Sequence, residues 1–359
     1  MPARLRVLVV DDSAVMRRII SEALGTDEAF EVVGVAANGE IALQRITQLT
    51  PDAVTLDVEM PVLDGLATIR RIRETHPTLP VIMCSSLTHA GAEATLDALA
   101  AGANDWLAKP ARSTSLDESV GRIAVELLPK LRALCKVSRG AKAAAPVATR
   151  SAPGALQGVR PRVAPDVVCI ATSTGGPNAL AELFTGLPDA LPVPIVLVQH
   201  MPPLFTRSLA ERLGRDSVHR FFEATDGQVI EPGCVYIAPG GRHMEVERVG
   251  VQVRARLHDG PAEQSCRPAA DVLFRSVAEV YGRGTLACVL TGMGQDGLRG
   301  CEAIRSRGGE VIAQDEASSV VWGMPGAVVN AGLALTVRPL SGMADEIRAR
   351  VTRLVARAG

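Results

Sequence analysis

The sequence predicts an α/β fold in two domains, each a doubly wound parallel sheet. Three observations carry that expectation. Short apolar runs of strand length alternate with stretches of helical spacing along most of the chain. Apolar residues make up 47% of the chain but aromatic ones only 3%, so the cores must be aliphatic, as suits sheets buried on both faces. The alternation breaks over residues 131–164, where KVSRGAKAAAPVATRSAPGALQGVRPRVA is rich in Ala, Pro, Gly and Arg and has no apolar period. That stretch reads as a linker between a domain over residues 1–130 and a second over 165–357. A chain of 359 residues is long enough for two such cores.

In the first domain, residues 7–10, 30–36, 53–56, 81–84 and 105–107 are strand-like. Helices are expected over 14–24, with Ser13 as N-cap, and over 39–48, 67–74, 93–100 and about 115–134. In the second domain, strands are expected at 167–171, 195–199, 235–238, 251–257, 286–291, 310–313 and 333–337. Helices fit between them at 178–187, 205–213, 268–281 and 298–307.

Composition narrows the function classes. Net charge is −1 and no basic helix-turn-helix region occurs, so nucleic acid is not an expected partner. The seven cysteines, at 84, 135, 169, 234, 266, 288 and 301, form no CxxC pair and are odd in number. Neither a zinc site nor a disulfide framework is expected, and those in apolar runs read as small buried hydrophobes. The apolar run at 5–10 is short and ends in two aspartates, unlike a signal peptide. No run approaches the length of a membrane span, so the expectation is a cytoplasmic protein without membrane insertion.

The first domain gathers charge at one edge. Asp11 and Asp12 follow the first strand, Asp57 the third, Ser85 and Ser86 the fourth, and Lys109 the fifth. In a parallel sheet these are carboxyl-end positions, where ligands bind. Crowded carboxylates repel unless a cation joins them, and oxygen ligands favour Mg2+. A metal on Asp12 and Asp57, with Asp11 nearby, would neutralise an incoming phosphoryl group, and Lys109 would add a second cation. Asp57 would then be the nucleophile, forming an acyl phosphate. The segments VVDDS, TLDVEMPVLDG, CSSL and WLAKP resemble a response-regulator receiver domain over residues 4–122, which implies a flavodoxin-like five-stranded sheet. The resemblance implies Asp57 as phosphoacceptor. It implies Mg2+ held by Asp12, Asp57 and the Glu59 carbonyl, with Asp11 acting through water. Ser85, Trp106 and Lys109 take the switch positions.

The second domain carries three motifs after strands. VVCIATSTGGP puts Ser173 in a glycine turn before a helix, suited to a nucleophile or to a phosphate cradle. IVLVQHMPP ends a strand on His200, a base or a structural histidine; His243, in APGGRHM, could line the same cleft. LACVLTGMGQDG places Asp296 in a glycine-rich loop, as a histidine-orienting carboxylate or a loop cap. Together they permit a triad in the order Ser, His, Asp, with backbone N–H groups near Met293 or in the Ser173 turn as an oxyanion hole. In this order and behind a receiver, the motifs resemble the chemotaxis protein-glutamate methylesterase (CheB) family. The resemblance implies phosphorylation-activated hydrolysis of glutamate γ-methyl esters on chemoreceptors, with deamidation of receptor glutamines. Ser173 would be nucleophile, His200 general base and Asp296 its orienting partner, with the Met293 N–H assisting. No cofactor is implied for the esterase chemistry, and the phosphodonor would be a histidine kinase. Two other readings stand beside it: a receiver-controlled hydrolase of small esters or amides, and a non-enzymatic binding module.

Overall fold

The computed structural model describes residues 4–110, 115–140, 164–215 and 217–352, without the side chains of 136–140. The chain divides into two compact units, Met1–Pro146 and Val147–Gly359.

The first unit is a five-stranded sheet: β1 (Leu5–Val10), β2 (Phe30–Ala36), β3 (Ala53–Asp57), β4 (Val81–Ser85) and β5 (Asp105–Ala108). Their order is β2-β1-β3-β4-β5 and every pairing is parallel. The helices are α1 (Ala14–Gly25), α2 (Gly39–Leu49), α3 (Gly65–Thr75), α4 (His89–Ala100) and α5 (Leu116–Gly140). Side chains at the N-cap accept from the first turns of four of them: Ser13, Asn38, Asp64 and Thr88. Strand residues such as Val7–Val10 are wholly buried, which explains their unbroken apolar runs. The α5 helix continues through Gly140, so its last turns fall within the stretch 131–164 read as linker. Residues 141–163 of that stretch lie outside the described residues.

The second unit is built on seven parallel strands: β6 (Val167–Thr172), β7 (Ile195–Gln199), β8 (Arg220–Glu223), β9 (Cys234–Ile237), β12 (Thr285–Val289), β13 (Glu310–Gln314) and β14 (Thr336–Arg338). Their order is β14-β13-β12-β6-β7-β9-β8. The chain moves outward from β6 to β7 and beyond, then returns to place β12 on the other side of β6. That reversal opens a crevice at the carboxyl ends of β6 and β12, where open α/β sheets bind ligands. The helices are α6 (Gly176–Thr185), α7 (Phe205–Arg215), α8 (Ala270–Tyr281), α9 (Leu298–Ser306), α10 (Met324–Asn330) and α11 (Leu340–Val351).

Two expectations change. Residues 251–257 do not join the parallel sheet. They form β11 (Gln252–His258), antiparallel to β10 (His243–Val249) in a separate hairpin. The alternation of both strands is the reason: Met244, Val246, Val253, Ala255 and Leu257 are buried, while Glu247 and Arg256 face out. The hairpin packs on α8, where Ser276 Oγ accepts the Val246 N–H at 2.9 Å. The strand expected at 333–337 is reduced to β14 at the sheet edge, and β8, α10 and α11 were not anticipated.

Phe274 of α8 is fully buried and covers Gly297 and Gly300, the entry to α9. Phe274→Ala should cost about 3–5 kcal/mol in the unfolding transition of this unit. Urea denaturation followed by circular dichroism checks this.

Candidate active site and phosphoacceptor pocket

The three motif residues of the second unit stand just past three neighbouring strands. Thr172 pairs with Gln199 at the ends of β6 and β7, so Ser173 and His200 leave the sheet side by side. The N–H of Ser173 donates to the Thr291 carbonyl at 3.0 Å, joining the nucleophile turn to the end of β12. Gly175 takes φ of 76°, the left-handed turn that starts α6 directly after the serine. Gly292 packs on Ser173 so closely that a Cβ there would lie 3.0 Å from the serine Cβ and 2.4 Å from Met324 Sδ. Met293 follows, and its N–H meets no acceptor among the described residues. It is free to serve a developing oxyanion.

Asp296 is buried, and its carboxylate accepts four hydrogen bonds. Oδ2 receives His200 Nε2 at 2.7 Å and Ala270 N at 2.6 Å; Oδ1 receives Asp271 N and Gly297 N, both at 2.9 Å. Burial favours the neutral acid, but His200 and the Ala270 and Asp271 N–H groups opening α8 outweigh it and hold this carboxyl below its usual range. For His200, burial favours the neutral ring. Hydrogen bonds and charge from Asp296 and Cys266 outweigh that and raise its pKa. With Nε2 given to Asp296, Nδ1 is the nitrogen left to act as base. It lies 3.7 Å from Cys266 Sγ. No hydrogen bond joins Ser173 Oγ to His200 among the described residues, a spacing that substrate binding tightens in such enzymes.

Several supporting residues were not singled out from the sequence. Gln199 is buried, and its Nε2 donates to the carbonyls of both Ser173 (3.0 Å) and His200 (3.3 Å), tying the two backbones together. Thr172 Oγ1 donates to the Thr291 carbonyl and Thr291 Oγ1 to the Thr174 carbonyl, a brace across the crevice. Asp271 Oδ1 accepts the Gly300 N–H and fixes α9 against α8. Gln199 ended a recognised motif, but its bonds follow only from strand pairing. His243 is buried, accepting from Ala269 N and donating through Nε2 to the Pro261 carbonyl, and so serves the loop.

In the first unit, Lys109 Nζ lies 2.7 Å from Asp57 Oδ1 and 2.9 Å from Asp11 Oδ2. Asp11, Asp12 and Asp57 bring their oxygens within 4.8 Å of one another. Asp57 Oδ2 is buried with no hydrogen-bond partner. An unpaired carboxylate oxygen in an all-oxygen cluster suits a hard divalent cation. Burial and the Asp11 charge, opposed by Lys109, push Asp57 up to about 6. Glu59 is exposed and its N–H donates to Asp57 Oδ1 at 3.3 Å. Ser85 Oγ donates away from the pocket, to the Gly91 carbonyl at 3.0 Å. Trp106 is buried. Lys130 lies 5.4 Å from its ring centre and donates to its carbonyl at 2.6 Å. No helix among the described residues is long and apolar enough to cross a membrane.

Comparison with known proteins agrees with this layout. A family model described as CheB methylesterase matches residues 168–347, and one for the response regulator receiver domain matches 7–121. A protein-glutamate methylesterase/protein-glutamine glutaminase of Trichodesmium erythraeum is 50% identical over 97% of this chain and 99% of its own. One from a Nocardioides species is 48% identical over 97% and 96%. The crystal structure of the Thermotoga maritima CheB methylesterase catalytic domain superposes with a TM-score of 0.50 at 42% identity, covering 52% of this chain and 98% of that one.

Two outcomes follow from the electrostatics. A base must be neutral to accept a proton, so the acid limb of kcat/KM should lie above the ordinary histidine range. Asp296→Asn removes the carboxylate that raises His200; it should move that limb to lower pH and cut kcat by about 10^4-fold. A pH–rate profile of both proteins reads this. Asp57 binds its proton more tightly folded than unfolded, so without metal this unit should lose stability as pH rises from 4 through about 6. Asp57→Asn should remove that loss and raise the midpoint at pH 7.5 by about 2–6 °C in calorimetry with chelator.

Proposed function

This chain belongs to the CheB methylesterase family, with a response-regulator receiver domain at its N-terminus, and we propose that it is a phosphorylation-activated protein-glutamate methylesterase and protein-glutamine glutaminase acting on chemoreceptors. The observation that carries the reading is the His200–Asp296 pair set beside Ser173 at the crevice between β6 and β12. Ser173 Oγ attacks the γ-carbonyl of a receptor methyl-glutamate while His200 Nδ1 takes its proton. The oxyanion is met by the Met293 N–H, a donor worth about 3–4 kcal/mol in such sites. Imidazolium returns the proton to the leaving methoxide, and methanol departs. Water, deprotonated by His200, then hydrolyses the glutamyl–Ser173 ester. With a glutamine substrate the leaving group is ammonia. Asp296 keeps the proton on Nε2 throughout and stabilises the imidazolium.

Control comes from the first unit. Asp57 accepts a phosphoryl group from a histidine kinase of the chemosensory pathway. Asp12, Asp57 and the Glu59 carbonyl would hold Mg2+, with Asp11 assisting through water. Bound there, the ion would supply positive charge against the phosphoryl oxygens, and Lys109 would add its own. Ser85 then exchanges the Gly91 carbonyl for the phosphoryl group, and Trp106 responds as the neighbouring switch residue. We read the enzyme as cytoplasmic, meeting its receptors at their signalling helices.

The test is methanol release from receptor carrying methyl-glutamate, with and without a small phosphodonor. The wild type should accelerate with phosphodonor, and Asp57→Asn should keep its basal rate without responding. Ser173→Ala should fall by about 10^4-fold or more. A Ser173→Ala enzyme as fast as wild type would remove the triad from the reading.

A further inference from the structure

Cys266 stands apart from the other six cysteines. They are buried, whereas Cys266 is partly exposed and lies against His200. A tight turn presents it: Glu263 and Cys266 exchange both backbone hydrogen bonds, at 3.1 and 2.8 Å. Between them Gln264 and Ser265 take φ of 50° and 62°, in the left-handed region. Arg275 of α8 grips Glu263 with both guanidinium arms, at 2.9 and 2.5 Å. The turn is thereby tied to the helix whose first N–H groups hold Asp296.

The 3.7 Å between Cys266 Sγ and His200 Nδ1 is the separation of two ligands on one soft metal ion. Zinc takes imidazole nitrogen at about 2.0–2.1 Å and thiolate sulfur at about 2.3 Å, and a tetrahedral angle then sets N and S about 3.6 Å apart. The second requirement is also met. Histidines that bind metals donate their other ring N–H to a carboxylate or similar partner; His200 Nε2 donates to Asp296 at 2.7 Å. Asp296 itself is no ligand, because its two oxygens already accept four hydrogen bonds. From these contacts we infer an inhibitory site for a zinc-class divalent cation, bound by Cys266 Sγ and His200 Nδ1. Binding releases the thiol proton and the Nδ1 proton of the imidazolium, both to solvent, and water completes the coordination. The inhibition rests on the reading of His200 as general base: the cation takes the lone pair that would receive the Ser173 proton. No spacing rule reveals the pair, since 66 positions separate its members.

The experiment titrates ZnCl2 against methanol release by the full chain in excess Mg2+, with a zinc-selective chelator to reverse the effect. Wild type should lose activity and regain it with chelator. Cys266→Ser, compared with its own metal-free rate, should need at least about 10–100-fold more zinc, the loss that even an outer-shell partner brings. CoCl2 gives a readout independent of turnover, the near-ultraviolet thiolate-to-cobalt absorption. It should arise in wild type and in Ser173→Ala and be absent from Cys266→Ser. Equal zinc sensitivity of wild type and Cys266→Ser overturns the inference, as does a wild type without the cobalt band. A cobalt band lost in Cys266→Ser, together with a fully active Ser173→Ala, would support the metal site and remove the triad reading instead.

Discussion

A carboxylate taken out of water must be met by donors, and the donors that meet Asp296 fix the geometry around it. Leaving such a group unpaired costs several kcal/mol. Here the charge is answered from three directions: the first turn of α8, the entry to α9 and the ring of His200. One side chain thus ties two helix starts to the end of β7. Neither helix can shift without disturbing the base, and Asp271 and Phe274 exist in this setting to keep the helices together.

The first unit faces the same problem and leaves it partly unsolved. Asp11 and Asp57 share the single ammonium of Lys109, and Asp57 Oδ2 has no partner. Asp296 is answered in full by protein donors. Asp57 is answered only in part, which leaves its second oxygen open to a further positive charge.

Both sheets, and the places of Ser173, His200 and Asp296 beyond their strands, were legible because strand ends are punctuated. Mostly apolar runs of three to six residues end within two positions of Asp11, Asp57, Lys109, Ser173 and His200, and another ends at Leu290, ahead of the glycine-rich loop that holds Asp296. What stayed hidden lacks a local mark. The first strand of the β10–β11 hairpin mixes Arg and Glu with its buried Met and Val, so an apolar-run criterion passes over it. The β8 strand is four residues at a sheet edge. Gln199 acquires its role from a neighbour 26 positions away, and Cys266 sits in a turn whose left-handed residues are not glycines. These are properties of pairing and packing, which a linear pattern does not encode.

The order of strands has a further consequence for how the enzyme comes into being. Strand β12 lies between the central strand β6 and β13, yet it is made more than 100 residues after β6. A nascent chain that has emerged through His200 holds Ser173 and the imidazole, but one margin of β6 is still bare. Such an uncovered strand margin invites adventitious pairing and calls for chaperone protection during synthesis. Closing the 96-residue gap from His200 to Asp296 is a late and long-range event. A polypeptide that ends before β12 therefore holds His200 without the buried carboxylate it meets, and the cluster of Ser173, His200 and Asp296 assembles only after β12 and the loop beyond it have been made.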